Sequence, residues 1–186
     1  MKEHPDFLVR IAGADDVPAI MALMSSAIEH NMRAFLTPEE IEAAKETMGV
    51  DQTLIDDGTY FLIVSRSDDA LAGCGGWGKR RTLYGGNHTV GRDDTLSDPA
   101  TEPARIRAMY THPDFTRRGV GKLLLSLGED AARAAGFKTI ELGSTTAGEP
   151  LYLACGYREV SRRDFPGANG AENLVIKMRK TLAAHA

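Results

Sequence analysis

Apolar and polar positions along this chain change period several times, and each change marks an element. Phe7 to Ile11 (FLVRI) is a short apolar run of strand type. Val17, Ile20, Met21, Met24 and Ile28 then recur at helical spacing. They predict a helix capped by Asp15 or Asp16, with Pro18 tolerated in its first turn, that runs to His30. Thr37-Pro38-Glu39-Glu40 has the form of a capping box with proline at the first helical position, and Gly49 is a suitable stop for the helix it opens. Tyr60 to Ser65 (YFLIVS) is a buried-strand pattern. Asp68-Asp69 supplies a turn, and Leu71 to Trp77 (LAGCGGW) returns as a second strand whose glycines signal a bulge or close backbone approach. A long polar connection, rich in Gly and Asp, follows from Gly78 to Glu102.

The second half is more regular. Arg105 to Thr111 is a strand, and Gly119 to Ala135 a helix whose apolar stripe is Val120, Leu123, Leu124, Leu127, Ala131 and Ala134. Gly136 ends that helix and Lys138 to Leu142 is the next strand, which makes a right-handed unit with two parallel strands. A short helix at Glu149 to Ala154 comes next. The strands Tyr157 to Ser161 and Asn173 to Met178 then form an antiparallel hairpin around the loop 162–172.

Composition narrows the function. A chain of 186 residues with 42% apolar and 26% charged residues fits one domain, 1–186, with its core between about 7 and 180. A net charge of −4 argues against sequence-independent nucleic-acid binding, which needs a dominant basic face, yet leaves room for a small anionic ligand. No apolar run has the length of a membrane span, and Met1 to Asp6 is too polar for a signal peptide. Cys74 and Cys155 have neither the spacing of a disulfide framework nor that of a zinc site. A cytoplasmic protein with free thiols, no metal and no membrane partner is the expectation.

One segment carries more chemistry than the rest. In His112-Pro113-Asp114-Phe115-Thr116-Arg117-Arg118-Gly119-Val120-Gly121-Lys122, a strand leads into the start of an amphipathic helix. Helix starts expose unpaired N–H groups at the positive end of the dipole. Gly119 and Gly121 keep side chains away from the main chain there, and Arg117, Arg118 and Lys122 add full charges, so the segment reads as a pyrophosphate cradle. A strand-to-helix turn with solvated arginines is the plainer alternative. No Walker lysine pattern and no dinucleotide fingerprint is present.

At these residues the sequence resembles the GCN5-related N-acetyltransferase (GNAT) family. Its acetyl-CoA motif is a strand, often a His-Pro pair, then Gln/Arg-x-x-Gly-x-Gly/Ala at a helix start, and Thr116 to Gly121 follows that frame with Thr in the first place. Its second signature, a tyrosine shortly before a Gly-Phe/Tyr pair, matches Tyr152 to Tyr157; the asparagine often found ahead of it is absent, with Thr145 near its place. The resemblance implies an α/β fold with a mixed, mostly antiparallel sheet of about six to seven strands, a central splayed parallel pair and about four helices.

It also implies a function, an acetyl-CoA-dependent transfer to a primary amine of a small molecule by direct attack in a ternary complex. Main-chain groups of Met109, Tyr110 and Thr111 would hold the pantetheine arm, and Arg117 to Lys122, Val120 included, the diphosphate. Tyr152, by position alone an aromatic packing the short helix, becomes the candidate general acid. The base stays open among Glu102, Glu141, Glu149 and a water chain, with His112 read as a turn residue. A protein N-terminus or lysine as acceptor, a non-catalytic acyl-CoA-binding module, and a homodimer are also compatible with the resemblance. Relatives join the two strands at 78–102 tightly, so this insertion is a departure that can shape an acceptor pocket. Lys79, Arg80, Arg81, Tyr84, His88 and Arg92 offer it an anion site or are a solvated charge run, while Asp93, Asp94, Asp98 and Glu102 suit a polycation.

Overall fold

The computed structural model describes residues 4–47, 49–83, 91–166 and 172–182. In chain order the elements are β1 (Phe7–Ile11), α1 (Val17–Asn31), α2 (Pro38–Thr47), α3 (Gln52–Asp56), β2 (Tyr60–Ser65), β3 (Leu71–Gly78), β4 (Ala104–Thr111), α4 (Val120–Ala134), β5 (Thr139–Ser144), α5 (Glu149–Ala154), β6 (Arg158–Pro166) and β7 (Glu172–Thr181). The strands form one seven-stranded sheet in the order β1-β2-β3-β4-β5-β7-β6. β4 and β5 are parallel, and the other neighbours are antiparallel.

The two faces of the sheet carry separate apolar clusters. Ile106, Ile140, Leu142, Ile176 and Met178 pack with Val120, Leu123, Leu124 and Leu127 of α4 on one face. On the other, Leu62, Cys74 and Tyr110 pack with Ile20, Leu23, Met24, Ala27 and Ile28 of α1 and Ile41 of α2. Alternation along each strand produces both clusters, since successive side chains leave the sheet on opposite sides.

Several local expectations need adjusting. The buried stripe of α1 is Ile20, Leu23, Met24, Ala27 and Ile28, whereas Met21 is exposed. Asp16 does not cap α1 with its side chain; its carboxylate turns back to accept the Gly13 N–H at 2.8 Å and to pair with Arg10. The Thr37 capping box closes both ways, with Glu40 N–H donating to Thr37 Oγ1 and Thr37 N–H donating to Glu40 Oε2. α3 is an element the pattern did not announce, because five residues are too few to show a helical period. The α4 stripe also takes in Leu125, Gly128 and Ala132, while Ala134 lies exposed. β6 and β7 run further than the pattern suggested, to Pro166 and from Glu172, and residues 167–171 of the loop between them lie outside the described residues.

Candidate active site

The β4–β5 ladder is short. It joins Ala104 to Ile140 and Arg105 to Glu141 and goes no further. Beyond that point β4 keeps its antiparallel partner β3 on one edge, and its other edge opens onto a gap. His112 N–H donates to Ala72 O, which makes Tyr110–Cys74 the next hydrogen-bonded pair of the β3–β4 ladder. Alternation then turns the main-chain groups of Met109 and Thr111 toward the gap. The Thr111 carbonyl is met there by Asn31 Nδ2, from the end of α1, at 2.8 Å. Of the three residues expected at this edge, Tyr110 therefore gives its main-chain groups to β3.

β4 bulges just before this edge. The register passes from Cys74–Tyr110 to Gly76–Arg107, so Ala108 and Met109 together face Gly75. Ala108 has φ 50, a left-handed conformation unusual for a residue with a Cβ. Gly75 makes the close approach possible, since a Cβ there would lie 3.0 Å from Met109 Cα. Tyr60, fully buried on β2, donates its hydroxyl hydrogen to Ala108 O at 3.1 Å, and Cys74 Sγ lies 3.3 Å from the Tyr60 hydroxyl oxygen. Nothing in the sequence marks Tyr60 or Asn31 for these places, because their partners lie 48 and 80 residues away.

The chain then passes through a turn into α4. Gly119 is the N-cap with φ 86, preceded by Arg117 at φ 62. Leu123 N–H donates to Gly119 O as the first bond of the helix, which leaves the N–H groups of Val120, Gly121 and Lys122 without an intrahelical acceptor. The space that a Cβ on Gly119 would enter is open. Gly121 is different. A Cβ there would meet Leu151 Cδ2 of α5 at 2.7 Å, so this glycine serves helix packing rather than ligand approach. Arg117 and Lys122 are exposed beside the helix start, while Arg118 stacks its guanidinium over Phe115 and Phe7, 4.8 and 5.7 Å from the ring centres.

α5 follows β5 and sets Leu151 against the start of α4. Tyr152, half-buried, packs its ring 6.0 Å from Tyr157, and desolvation pushes its phenol up to about 12. The phenol is also near enough to β4 that its charge adds to the upward shift of Tyr110. The site thus combines an unpaired strand edge, a left-handed bulge, a helix start with free amides and a protonated phenol.

A sequence profile described as the acetyltransferase (GNAT) family matches residues 24–157. This chain belongs to that family. Among solved structures it is similar to a GCN5-related N-acetyltransferase from Rhodopseudomonas palustris, at 18% identity and a TM-score of 0.68 over 98% of this chain and 99% of that one. YncA from Salmonella typhimurium, solved with its cofactor acetyl-CoA, is 21% identical with a TM-score of 0.60 over 98% and 97% of the two chains. PaiA N-acetyltransferase from Thermoplasma acidophilum, in complex with coenzyme A, is 15% identical with a TM-score of 0.59 over 94% and 98%. These likenesses confirm the GNAT fold. No curated protein matches the sequence.

Within this GNAT fold the carboxylates considered as bases are all engaged. Glu102 pairs with Arg81 at 2.8 Å, and its carboxyl is lowered by the Arg81 hydrogen bond and the Asp98 N–H. It also precedes β4, several residues from the bulge. Glu149 pairs with Arg162 at 2.6 Å, and the buried Glu141 is held by Arg105, Lys177 and Arg179. His112 accepts from Asp114 N–H, as a turn residue does. Cys74 and Cys155 are both free.

The insertion between β3 and β4 is tied down by charge. Arg80 makes a bidentate contact with Asp57 at 2.9 Å, Arg81 holds Glu102, and Arg92 reaches Asp51 at 3.1 Å. These arginines are ion-paired ties between the insertion and its surroundings, with Arg81 still 45% exposed. Tyr84 and His88 lie outside the described residues. No helix among the described residues is long and apolar enough to cross a membrane.

Proposed function

We propose that this chain uses acetyl-CoA as co-substrate to acetylate a primary amine of a small molecule, with donor and acceptor held together on the sheet. The observation that carries the reading is the gap beyond Arg105–Glu141, which runs from the Ala108–Met109 bulge to the free amides at the start of α4. The residues fit the co-substrate. Val120, Gly121 and Lys122 offer N–H groups, and Arg117 and Lys122 offer charge, to a diphosphate beside the open space at Gly119. Met109 and Thr111 offer an edge that an extended arm can join as an added strand. Acetyl-CoA, when bound, supplies an acyl thioester and a thiolate leaving group.

The protein's own part is positioning and proton handling. A left-handed Ala108 re-aims the neighbouring amides toward the gap, where a main-chain donor can polarise a carbonyl. Tyr152, whose phenol is pushed up to about 12 and so keeps its proton at neutral pH, is the proposed donor to a departing thiolate. With Glu102, Glu141 and Glu149 all ion-paired, the amine proton passes to water. Tyr152→Phe should lower kcat by about a hundredfold and leave the acetyl-CoA dissociation constant unchanged. Steady-state kinetics beside calorimetry measures both. Wild-type turnover in this variant removes Tyr152 from the chemistry, and acetyl-CoA binding without turnover for any amine would leave a binding module in place of an enzyme.

A further inference from the structure

On the face of β5, β7 and β6 opposite α4, a single buried carboxylate is ringed by cations. Ile140 and Leu142 belong to the core under α4, so Glu141 between them points to the other face. Its register partners, Arg105 on β4 and Arg179 on β7, share that face. Glu141, 1% exposed, lies 3.1 Å from Arg105 Nη1, 3.2 Å from Lys177 Nζ and 2.7 Å from Arg179 Nε. One carboxylate thus meets three cations. Arg158 then stands directly opposite Arg179 across the β6–β7 ladder, with no ion pair of its own among the described residues. Like charges opposed across a ladder weaken a sheet, so the row Arg105–Glu141–Arg179–Arg158 is unfavourable to folding at its β6 end. The same row marks the last rung of the β4–β5 ladder, where the gap begins.

We propose that this row, with Lys177, binds an anionic group on the acceptor, so that the substrate class is amines that also carry a negative charge, as an amino acid carries its carboxylate. The proposal rests on the acetyl-transfer reading and specifies its acceptor. A plain ammonium ion approaching the row meets surplus positive charge and is repelled. An acceptor with its own anion offsets that repulsion, and guanidinium and ammonium donors on neighbouring strands give the anion charge-assisted hydrogen bonds that fix the amine beside the gap. Lys177 is well placed for this, because its side chain is 33% exposed and Glu141 holds it in position, while the nearly buried Arg105 adds charge beneath the row and gives its hydrogen bonds to Arg81 O and Pro103 O.

The test is an amine panel of amino acids, their methyl esters and aliphatic polyamines, read as thiol release from acetyl-CoA. The expected result is a kcat/KM for the preferred amino acid at least about tenfold above that of its methyl ester, with polyamines poorer still. Lys177→Met and Arg158→Gln, singly and together, should raise KM for the amino acid severalfold. They should leave acetyl-CoA affinity and turnover of the ester unchanged. Equal use of ester and acid, a preference for polyamines, or an equal loss for every amine would each overturn the proposal. Arg158 lies exposed with no ion pair among the described residues, so its variant keeps the test readable if Lys177→Met fails to fold. Acetyl-CoA binding with no turnover across the whole panel would instead overturn the acetyl-transfer reading beneath it.

Discussion

Ala108 is a residue with a Cβ in a conformation that costs about 1 kcal/mol or more, and something must hold it there. The hydroxyl of Tyr60 is the candidate clamp, since it meets the Ala108 carbonyl from a fully buried position. Tyr60→Phe keeps the ring and removes only that bond. It should lower stability by about 1 kcal/mol and, because the bulge can then relax, lower kcat several times more than acetyl-CoA affinity. Chemical denaturation and kinetics on the same variant separate the two effects; a stability loss with unchanged kcat would make Tyr60 a core residue only. Tyr60 was legible in the sequence as part of a buried strand. Its role was not, because the role depends on a register with a residue 48 positions away.

At the scale of elements, two glycines that look alike in sequence do different work. Gly119 supplies the left-handed turn before α4, whereas Gly121 leaves room for Leu151, so that α5 can lie against the start of α4. Gly121→Ala would place a methyl 2.7 Å from Leu151 Cδ2, and overpacking of that kind costs about 1–3 kcal/mol. Leu151→Ala in the same chain should recover much of the loss, and thermal unfolding of the single and double variants reads the coupling. Additive losses would show that the two residues do not meet. The Thr37–Glu40 capping box, by contrast, was fully legible, because all its partners lie within one turn.

For the whole molecule, buried charge decides how the described parts of the insertion, 78–83 and 91–102, sit. Asp51, fully buried at the start of α3, is 2.6 Å from Arg107 of β4 and 3.1 Å from Arg92 of the insertion. Removing the carboxylate leaves Arg107, 5% exposed, without its nearest counter-charge, so Asp51→Ala should destabilise the fold by about 3–5 kcal/mol. Urea unfolding measures this, and a loss below about 1 kcal/mol would mean that water or another carboxylate replaces Asp51. The sequence displayed these arginines as a charge run, and only their partners turned them into ties between the insertion and the sheet.

The sequence by itself determined what short-range forces determine. The capping box and the turn at Gly136 rest on contacts within a few residues, while the strand and helix periods and the strand-to-helix segment at Thr116 to Lys122 show as local patterns; each is readable in the linear order. Tertiary structure alone decided the placement of β7 between β5 and β6, the end of the β4–β5 ladder at Arg105–Glu141, the bulge at Ala108, and which carboxylate each cation meets. Those outcomes depend on burial and charge among residues brought together from distant parts of the chain. Such energies exist only once the sheet has formed, because the desolvation that gives them their size is a property of the packed interior.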